Sequence, residues 1–592
     1  MSEELSELGV EIHYLPIRVN EKILLHLGRG IYPSVAAAIK ELVHNAFDAD
    51  AKQVVISTGY PAFDEIQILD TGHGMSLERF KMALVSIGNS MKDTIDESRV
   101  TKKYKRPIIG RLGIGLMALS QVCNQAMIES QLPGLKNKFS ALIHFTQFQR
   151  DDYENTSLSV LSNRYGGAEV IRRQLEEEGL KAERQEELKL RLKLALEADK
   201  IRQSKEIDLE DEHLGHCWFI PELPGLPHRQ GTTVTLLEIR PEIKQALMDR
   251  DSSLGSNSPA ISTGTLQSRR HDWEEQLSQI DWSWRELCEK LRCETDGLTY
   301  QVLPSYHQFL YELALMSPVP YLDDAPISSR PDILREKKRE LKRFNFSLRV
   351  DNHLLYKPIL LPSGALAKEA RADDYLIRQI SFNGVVDTHR LKYHGYLYWQ
   401  KSQNKPSTLH GIQLYIRNVG IGLYDQTFTD FSKMYSTNFA GHISGEIYVE
   451  RGLEQALNVD RQSFRETDPH YIALQQHLLG ECEWILRKSI EANERRKRAE
   501  RQQHLATVEK LVSSATNGKL GLNIATSEES EAAQAVSVDD KRLVFNPDPS
   551  RWTGSKAEQL LGQKILLTTK AAVATGASTQ DLLNLLENIL LK

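Results

Sequence analysis

Three polar side chains, Glu41, Asn45 and Asp48, recur along one predicted helix whose other positions are largely apolar. Residues at i, i+4 and i+7 of an α-helix lie on one face, so the three side chains can converge on one ligand. A carboxylate beside an apolar face costs free energy unless water, a metal ion or a ligand accompanies it. The spacing therefore indicates either a ligand-binding face or an ordinary solvent-exposed face of an amphipathic helix.

A further carboxylate stands where a predicted strand ends. Asp70 closes the strand-like run EIQILDT and is followed by Gly72 and Gly74 in LDTGHGM. Because glycine has no side chain, a planar ring can approach the backbone beside this carboxylate closely. This second motif makes a purely solvent-exposed face a weaker interpretation of the first three residues.

A glycine-rich stretch, IGRLGIGLMA, precedes another predicted helix. Its glycines, Gly110, Gly113 and Gly115, allow backbone N–H groups to face an anion, and a helix N-terminus adds positive potential. The stretch is therefore a candidate phosphate cradle, although GxxGxG alone is a weak signal. The surrounding sequence lacks the strand–helix–strand unit of a Rossmann fingerprint, and the chain has no GxxxxGK[ST] P-loop.

The elements that would position these residues form an α/β layer. A helix is predicted from Ser34 to Asp50, followed by strands at Lys52–Thr58 and Glu65–Thr71. Further strands are predicted in AMIES, KFSALIHFTQF and TTVTLLEI. A charged, leucine-containing insertion at about residues 169–212 predicts a helical hairpin or short coiled coil, either a solvated insertion or an arm that docks a partner.

Composition limits the class of protein. At 592 residues the chain is too long for one core, and 40% hydrophobic with 26% charged residues is an ordinary soluble balance. A net charge of -6 gives no whole-chain basic field. Five scattered cysteines without a CxxC pair argue against a disulfide framework or a structural zinc site. Neither a secretory leader nor a membrane span is visible, so we expect a cytoplasmic protein.

Taken together, the motifs resemble the four ATP-binding motifs of the GHKL superfamily, which includes gyrase, the ninety-kilodalton heat-shock chaperone, histidine kinases and MutL, and they resemble MORC proteins as well. The matching stretches are ExxxNxxDA from Glu41, DxGxG from Asp70, GRLGIG from Gly110 and GTTVTL from Gly231. The resemblance covers roughly residues 20–240. It implies an α+β protein whose N-terminal domain is a Bergerat-type α/β sandwich, a mixed sheet with helices on one face. A second α+β transducer-like domain and a C-terminal helical region are expected to follow.

The domain organisation can be predicted from these segments and from the linker-like stretches between them. The predicted divisions, in chain order, are a GHKL ATP-binding domain at 1–245, a linker and helical connector at 246–340, a transducer- or middle-like α+β domain at 341–470, a long helix at 471–515, a linker at 516–552 and a helical piece at 553–592.

The resemblance implies a role for each matching position. Glu41 would be the general base that polarises the attacking water, and Asn45 would hold the Mg²⁺ that bridges the phosphates. Asp70 would accept the adenine amino proton with support from the Thr232 hydroxyl, and Asp48 would order nearby water or backbone. The other implied nucleotide-binding positions are Gly72, Gly74, Met75, Gly110, Arg111, Leu112, Gly113, Ile114 and Gly115. The implied cofactors are therefore ATP and Mg²⁺.

The segment SIGNSMKDTIDESRVTKKYKRP, between the second and third motifs, is implied to be a lid over bound nucleotide. Lys92 within it resembles a lid position of MutL and MORC proteins. The segment ends in a basic cluster that is interpreted either as a solvated loop or as a nucleic-acid contact. The cluster consists of Lys102, Lys103, Lys105 and Arg106.

Phosphate-sensing residues are also implied in the second domain. The stretch GEIYVERGLEQALNVDRQSFRE resembles the chaperone's middle domain, in which an arginine reaches the γ-phosphate, and Arg461 is the matching residue. Asp460 and Gln462 depart from the family pattern, so a local salt bridge of Arg461 is the alternative. Either Lys401 or Lys405 could instead sense the phosphate, as a transducer-domain lysine does in MutL-like proteins.

The expected function is hydrolysis of ATP to ADP and phosphate, coupled to lid closure and dimer-type switching. The alternative is a nucleotide-stabilised binding or assembly module with little turnover, either a chaperone-like client binder or a nucleic-acid clamp. The expected partners are ATP and a second copy in a nucleotide-dependent homodimer, with a client protein or nucleic acid left open and no membrane. The endonuclease motif DQHAxxExxxxE of MutL does not occur, so DNA cleavage is not expected.

Overall fold

A computed structural model describes the chain in a series of ranges. These are residues 13–18, 34–85, 100–110, 119–145, 213–224, 230–248, 282–322, 332–358, 375–404, 407–429, 441–458, 463–516, 521–524, 536–539 and 542–545. Some positions inside further helices are also described, namely 172, 175, 185, 188–189, 192–193, 196, 269, 272–273, 275–277, 565–566, 569–570 and 584.

Nine strands among the described residues form the larger sheet. They are, in chain order, β1 (His13–Arg18), β2 (Gln53–Ser57), β3 (Ile66–Asp70), β4 (Cys123–Gln131), β5 (Asn137–Phe145), β6 (His213–Pro224), β7 (Gly231–Ile239), β8 (Ser347–Val350) and β9 (His353–Leu355). Their order across the sheet is β1-β6-β5-β4-β7-β3-β2-β8-β9. The pair β2–β8 is parallel and the other neighbouring pairs are antiparallel, so the sheet is mixed as predicted.

The first helix, α1 (Val35–Asp48), is almost entirely buried. It begins at Ser34, whose Oγ accepts the N–H of Ala37 at 3.2 Å and so caps the helix N-terminus. Of its 14 residues 11 are buried, which places the helix inside the core that covers the larger sheet. The helix ends one residue before Ala49, close to the predicted boundary at Asp50.

Five further helices have both ends within the described residues and precede the second sheet. These helices are α2 (Leu77–Val85), α3 (Pro241–Leu247), α4 (Trp284–Cys293), α5 (Ser305–Met316) and α6 (Asp332–Arg343). Helix α5 is mostly buried and belongs to the same core cluster as α1. The region predicted as a linker and helical connector thus contributes directly to the main core.

The segment FNFSLRVD, which falls at the start of the range 341–470 predicted for the second domain, instead supplies β8 to the larger sheet. Leu348 and Val350 are fully buried where β8 runs parallel to β2. Beyond the strand, the Asp351 carboxylate accepts the Thr58 N–H and hydroxyl, both at 2.8 Å. The pairing of β8 with β2 brings together residues almost 300 positions apart, and the local alternation of FNFSLRVD does not specify which sheet it joins.

The second sheet is made of five strands among the described residues. They are β10 (Tyr375–Val386), β11 (His389–Gln400), β12 (Gly411–Ile416), β13 (Val419–Asp425) and β14 (Ile443–Arg451), arranged in the order β10-β11-β14-β12-β13. The segment IQLYIRNVGIG forms a hairpin, because Arg417 and Asn418 have φ values of 52° and 69° and form a two-residue turn. Strand β11 was not predicted, since HRLKYHGYLYWQ lacks a clear apolar–polar alternation.

Helix α7 (Pro469–Thr516) matches the predicted long helix, and the chain divides along it into two compact units, Met1–Ile485 and Leu486–Lys592. In the first unit, Leu474, Leu478 and Cys482 of α7 pack in the core of the second sheet. In the second unit, a small sheet occupies part of the predicted linker at 516–552. Its strands are β15 (Gly521–Ile524), β16 (Val536–Asp539) and β17 (Arg542–Phe545), in the order β15-β17-β16.

The charged insertion is helical wherever it is described. Leu188 and Leu192 are buried there, and Leu175 and Leu196 pack against them, as a helical hairpin or coiled coil requires. Among the described helices, none combines the length and the apolar character needed to cross a bilayer. The α+β fold class is confirmed by the two mixed sheets and their helices.

Candidate functional site

The three residues predicted to lie on one face of helix α1 differ in their exposure to solvent. Glu41 is 5% exposed, whereas Asn45 is exposed and Asp48 is half-buried. A Glu41 carboxylate oxygen lies 3.8 Å from Nδ1 of the buried His44. The interpretation as an ordinary solvent-exposed face therefore fits Asn45 but not Glu41, because glutamate is rarely placed in a protein interior without a polar or charged partner.

Asp48 joins α1 to the glycine-rich stretch. Its Oδ1 accepts the N–H of Ile109 at 2.8 Å, and its Oδ2 accepts the N–H of Gly110 at 2.7 Å. Hydrogen bonds from backbone N–H groups to an ionised carboxylate are among the stronger ones in proteins. Asp48 thus fixes the first glycine of GRLGIG at the C-terminal end of α1.

Asp70 lies at the end of β3, where backbone groups hold its carboxylate. The N–H of Gly72 donates to Oδ1 at 2.7 Å, and the N–H of Thr232 donates to the same carboxylate. Desolvation raises the pKa of Asp70 to about 6, while these two hydrogen bonds and the nearby His73 act in the opposite direction. The carboxylate is therefore ionised near neutral pH and has further lone pairs with which to accept a ligand's amino group.

Ser130 on β4 connects two of the predicted motifs. Its Oγ accepts the N–H of Met75 at 2.8 Å and lies 3.0 Å from the Thr232 hydroxyl. Thr232 thus contacts Asp70 through its backbone N–H, and its hydroxyl contacts Ser130. Sequence reasoning did not identify Ser130, because a serine within a strand has no distinctive spacing.

Two glycines permit close backbone contacts around Asp70. Gly74 and Gly231 have φ values of +67° and +121°. A Cβ on Gly74 would lie 2.3 Å from the carbonyl oxygen of Gln131, and a Cβ on Gly231 would lie 2.1 Å from that of Asp70. A side chain at either position would force the backbone apart, so the glycines keep this end of the sheet compact around the carboxylate.

Arg106 differs from the other members of the basic cluster. Its side chain is fully buried, and its guanidinium donates to the carbonyl oxygens of Phe344 at 2.6 Å and Phe47 at 3.0 Å. It also lies over the Phe47 ring, 4.7 Å from the centroid, and desolvation lowers its pKa to about 10. Neither a solvated loop nor a nucleic-acid contact describes this residue, whereas Lys102, Lys103 and Lys105 are exposed as a loop cluster would be.

Arg417 of the second sheet reaches the backbone beside the glycine-rich stretch. Its Nη1 donates to the carbonyl oxygen of Ile108 at 2.5 Å, and its Nε and Nη2 lie 3.2 Å from Glu454 Oε1. Since the next two N–H groups are held by Asp48, the start of the stretch is fixed from both sides. No motif in the sequence indicated this contact.

Several predicted site residues lie outside the described ranges. They are Lys92, Arg111, Leu112, Gly113, Ile114, Gly115, Lys405 and Arg461. The other phosphate-sensing candidate, Lys401, is exposed at the end of β11. The described part of the chain therefore brings together the residues around Asp48 and Asp70 and the backbone of Gly110.

The arrangement around α1 fits a nucleotide with a hard cation better than a metal held by protein alone. Within the described residues, no group of three or more His, Cys, Asp and Glu side chains could hold a metal ion. Asn45 is exposed on α1 and offers one amide oxygen. Mg²⁺ is commonly held by one or two protein oxygens together with phosphate oxygens and water, and the exposed Asn45 amide could supply one such protein oxygen.

Comparison with known proteins agrees with the site. Residues 32–165 match the family described as "Histidine kinase-, DNA gyrase B-, and HSP90-like ATPase". The chain is 32% identical over 146 residues to HgiDII of Herpetosiphon aurantiacus, a candidate type II restriction enzyme. The aligned segment makes up 25% of this chain and 22% of that protein. Over 109 residues the chain is 31% identical to the DNA mismatch repair protein MutL of Rippkaea orientalis, which covers 18% of each chain.

The matched segments thus span only about a fifth of either relative. The family match at residues 32–165 includes α1, β2 and β3 and agrees with the resemblance drawn from the motifs at Glu41, Asp70 and Gly110. A domain of this kind supports ATP binding. Residues 32–165 therefore match a GHKL-type ATPase domain, in agreement with the two relatives, each of which is similar to this chain over only part of its length.

Proposed function

We propose that the protein binds ATP with Mg²⁺ at this site and hydrolyses it to ADP and phosphate. The observation that supports this best is that backbone hydrogen bonds join separated motifs: the Gly110 N–H donates to Asp48, and the Thr232 N–H donates to Asp70, whose carboxylate also accepts the Gly72 N–H. Each bond orders backbone that would otherwise have to be fixed when the nucleotide binds. Such preorganisation is the main protein contribution to phosphoryl transfer.

Asp70 would recognise the adenine ring. Its carboxylate accepts the exocyclic amino group, and the backbone around Gly72 and Gly74 lets the ring lie close to the end of β3. Because the N–H groups of Gly72 and Thr232 already hold the carboxylate, its orientation is set before the ligand arrives. Ser130 would keep Met75 and Thr232 in register beside the base.

Glu41 would activate the attacking water, and the phosphate cradle would be completed by residues Gly110 to Gly115. Asn45 would hold Mg²⁺, which when bound neutralises charge on the phosphate oxygens. Glu41 is 5% exposed and its carboxylate lies 3.8 Å from Nδ1 of His44, so its position on α1 is held by the surrounding core. Arg461, with Lys401 or Lys405, would contribute positive charge at the γ-phosphate, and Lys92 would belong to the lid.

Binding of the γ-phosphate would order the lid and favour a homodimer that opens again after hydrolysis. Loss of a single phosphate is enough to release such a segment when its contacts are made mainly to that phosphate. The names of the two relatives place their activities on DNA, so we propose that the switch serves a nucleic-acid process in this protein as well.

The test of hydrolysis uses Glu41→Gln, which keeps the volume of the side chain and removes its basicity. We expect ATP binding to persist and phosphate release to fall by two to four orders of magnitude, on the order of the contribution of a general base. Glu78→Gln is the matched control, because Glu78 lies on the exposed side of α2. Unchanged turnover in Glu41→Gln with retained folding would refute the role of Glu41.

The second candidate is a binding or assembly module that nucleotide stabilises with little turnover. The low exposure of Glu41 favours it, since water reaches a 5% exposed carboxylate poorly. Under this alternative, wild-type protein releases no more phosphate than Glu41→Gln, while nucleotide still raises the unfolding temperature of both. A measurable difference in turnover between the two proteins supports hydrolysis.

A further inference from the structure

Two basic segments that are far apart in the chain meet at one place on the surface. The first is the turn at residues 101–106, closed by a hydrogen bond from Thr101 N–H to the Arg106 carbonyl at 2.8 Å. The Asp50 carboxylate accepts the N–H of Lys103 at 2.9 Å and that of Tyr104 at 3.2 Å. The backbone of the turn is held in this way, and its three lysines, Lys102, Lys103 and Lys105, are exposed to solvent.

The second segment is helix α6, whose sequence DILREKKRELKR is strongly basic. The buried Arg106 joins the two segments, because its guanidinium donates to the carbonyl oxygens of Phe344 at 2.6 Å and Asn345 at 3.1 Å. Lys105 directly precedes Arg106, and Arg343 directly precedes Phe344, so both cations lie next to this contact. Pro107 lines the same cleft, of about 990 Å³, as Arg339 and Arg343.

The resulting surface, here named the basic face, consists of five exposed cations. They are Lys102, Lys103, Lys105, Arg339 and Arg343. None of the five forms an ion pair with another described residue, and Lys103 makes a ring contact with Tyr104. A protein with a net charge of -6 thus concentrates positive charge at this place.

The carboxylates that line the cleft neutralise little of this charge, because most of them are bonded to other residues. Glu340 accepts from Lys337 at 2.7 Å and from Asn418 at 3.1 Å. Glu450 lies 2.9 Å from His394 Nδ1 and also pairs with Lys392. Glu336 is the remaining acidic residue among those that line the cleft, and it is exposed.

We propose that the basic face binds the phosphodiester backbone of a nucleic acid. Arg339 and Arg343 are one helical turn apart, ~5–6 Å between Cβ atoms, and each can present a planar fork to a phosphate. The lysines of the turn add point charges beside them. A polyanion gains affinity from several such cations at once, since each neutralised phosphate releases condensed counterions.

The polarity of the surface favours a nucleic acid over an acidic protein. Protein–protein interfaces usually have an apolar centre rich in aromatic side chains, whereas protein–nucleic acid interfaces are more polar and more positively charged. Among the exposed large hydrophobic residues of the described chain, Val100 adjoins the turn. The remaining exposed groups of the basic face are ammonium and guanidinium groups, which suit a backbone of phosphates.

The experiment measures binding of the full chain to labelled duplex DNA, single-stranded DNA and duplex RNA across a series of salt concentrations. The test variant is Arg339→Gln/Arg343→Gln, which removes two charges without adding carboxylates. The matched control is Arg79→Gln/Lys136→Gln. Both control residues are exposed, Arg79 on α2 and Lys136 in the β4–β5 turn, and neither lines the cleft. Circular dichroism and uptake of Mg·ATP establish that each variant is folded.

Wild-type protein and the control are expected to bind at least one of the three nucleic acids with a strong salt dependence. The test variant is expected to bind about tenfold more weakly at ~0.1 M salt, with a slope of log affinity against log salt shallower by about 2. The arms with DNA and RNA distinguish the source of the phosphodiester backbone. This outcome does not require ATP hydrolysis, so it stands or falls separately from the role of Glu41.

Three results would overturn the proposal. One is the absence of binding by wild-type protein to any of the three nucleic acids at ~50 mM salt, where such contacts are strongest. Another is equal affinity and equal salt slope in the test variant and wild type. The third is that polyglutamate or vesicles with anionic headgroups compete for the basic face while none of the nucleic acids does, which would assign the face to an acidic protein or to a lipid surface.

Discussion

The guanidinium of Arg417 donates a hydrogen bond to the carbonyl oxygen of Ile108 at 2.5 Å. Arg417 lies in the turn between β12 and β13 of the second sheet, and Ile108 stands two residues before Gly110. This contact links the second sheet to the backbone that Asp48 holds on its other side. The second sheet is thereby in direct contact with the start of the glycine-rich stretch.

We predict that Arg417→Ala lowers the rate of ATP hydrolysis by about tenfold or more, because small displacements of positioning groups are costly in phosphoryl transfer. Steady-state phosphate release is the measurement, with kcat expected to fall more than the affinity for ATP. Glu454→Gln is the matched control, since it removes the carboxylate beside Arg417 and leaves the bond to Ile108 in place. Equal kinetics in wild type and Arg417→Ala would show that the contact does not act on the site.

The pKa of Asp70 leads to a prediction about stability. Burial raises this pKa from 3.8 to about 6, so the folded protein holds the proton more tightly than the unfolded chain does. The resulting stabilisation is fully present below the unfolded pKa and is lost as pH rises through about 6. The shift corresponds to ~3 kcal/mol. Asp70→Asn does not titrate, so urea unfolding at acid and neutral pH should show this loss in wild type and not in the variant.

The same residue predicts a pH dependence of nucleotide binding. Below pH 6 the Asp70 carboxyl becomes protonated and loses acceptor capacity for the adenine amino group. We expect the affinity for ATP to fall as pH is lowered through about 6, and Asp70→Asn to bind weakly at every pH. Titration of ATP between acid and neutral pH, with a triphosphate lacking the amino group as the comparison, measures this directly. An affinity for ATP that is the same in both proteins would contradict the assignment of Asp70.

Arg106 leads to a prediction about folding rather than binding. Arg106→Ala leaves the carbonyl oxygen of Phe344 without its guanidinium donor, removes one of the donors to the carbonyl oxygen of Phe47, and opens a cavity against the Phe47 ring. We expect the free energy of unfolding to fall by ~3–5 kcal/mol, in the range for loss of a buried charged network. Lys105→Ala is the matched control, because Lys105 is exposed and adjacent in sequence. Denaturant unfolding of both variants decides the matter, and a loss below ~1 kcal/mol in Arg106→Ala would contradict the account.

The motifs predicted much of the N-terminal domain because they combine local pattern with fixed chemistry. Helix α1, strands β2, β3 and β7 and the carboxylates of Asp48 and Asp70 follow from apolar spacing and from residues that end elements. The contacts of Asp48 with Gly110 and of Asp70 with Thr232 then connect segments that the sequence had already marked.

The features that were not predicted depend on contacts between distant segments. Strand β8 has the same apolar–polar alternation whichever sheet it joins. Arg106 is a cation in a basic stretch like its exposed lysine neighbours, so the sequence does not distinguish it as the buried member. Ser130 and Arg417 act through one or two hydrogen bonds each, to partners that no spacing rule links to them. Residue type and local period do not encode these tertiary choices.

The central claim is that separated segments of the chain form one site for ATP and Mg²⁺, and calorimetric titration of the folded protein with a non-hydrolysable ATP analogue and Mg²⁺ tests it most directly. We predict saturable uptake of one nucleotide per chain in wild type and a marked loss of affinity in Asp70→Asn. If folded wild-type protein took up no nucleotide in the presence of Mg²⁺, or if Asp70→Asn bound it equally well, the site described here would not be the nucleotide site.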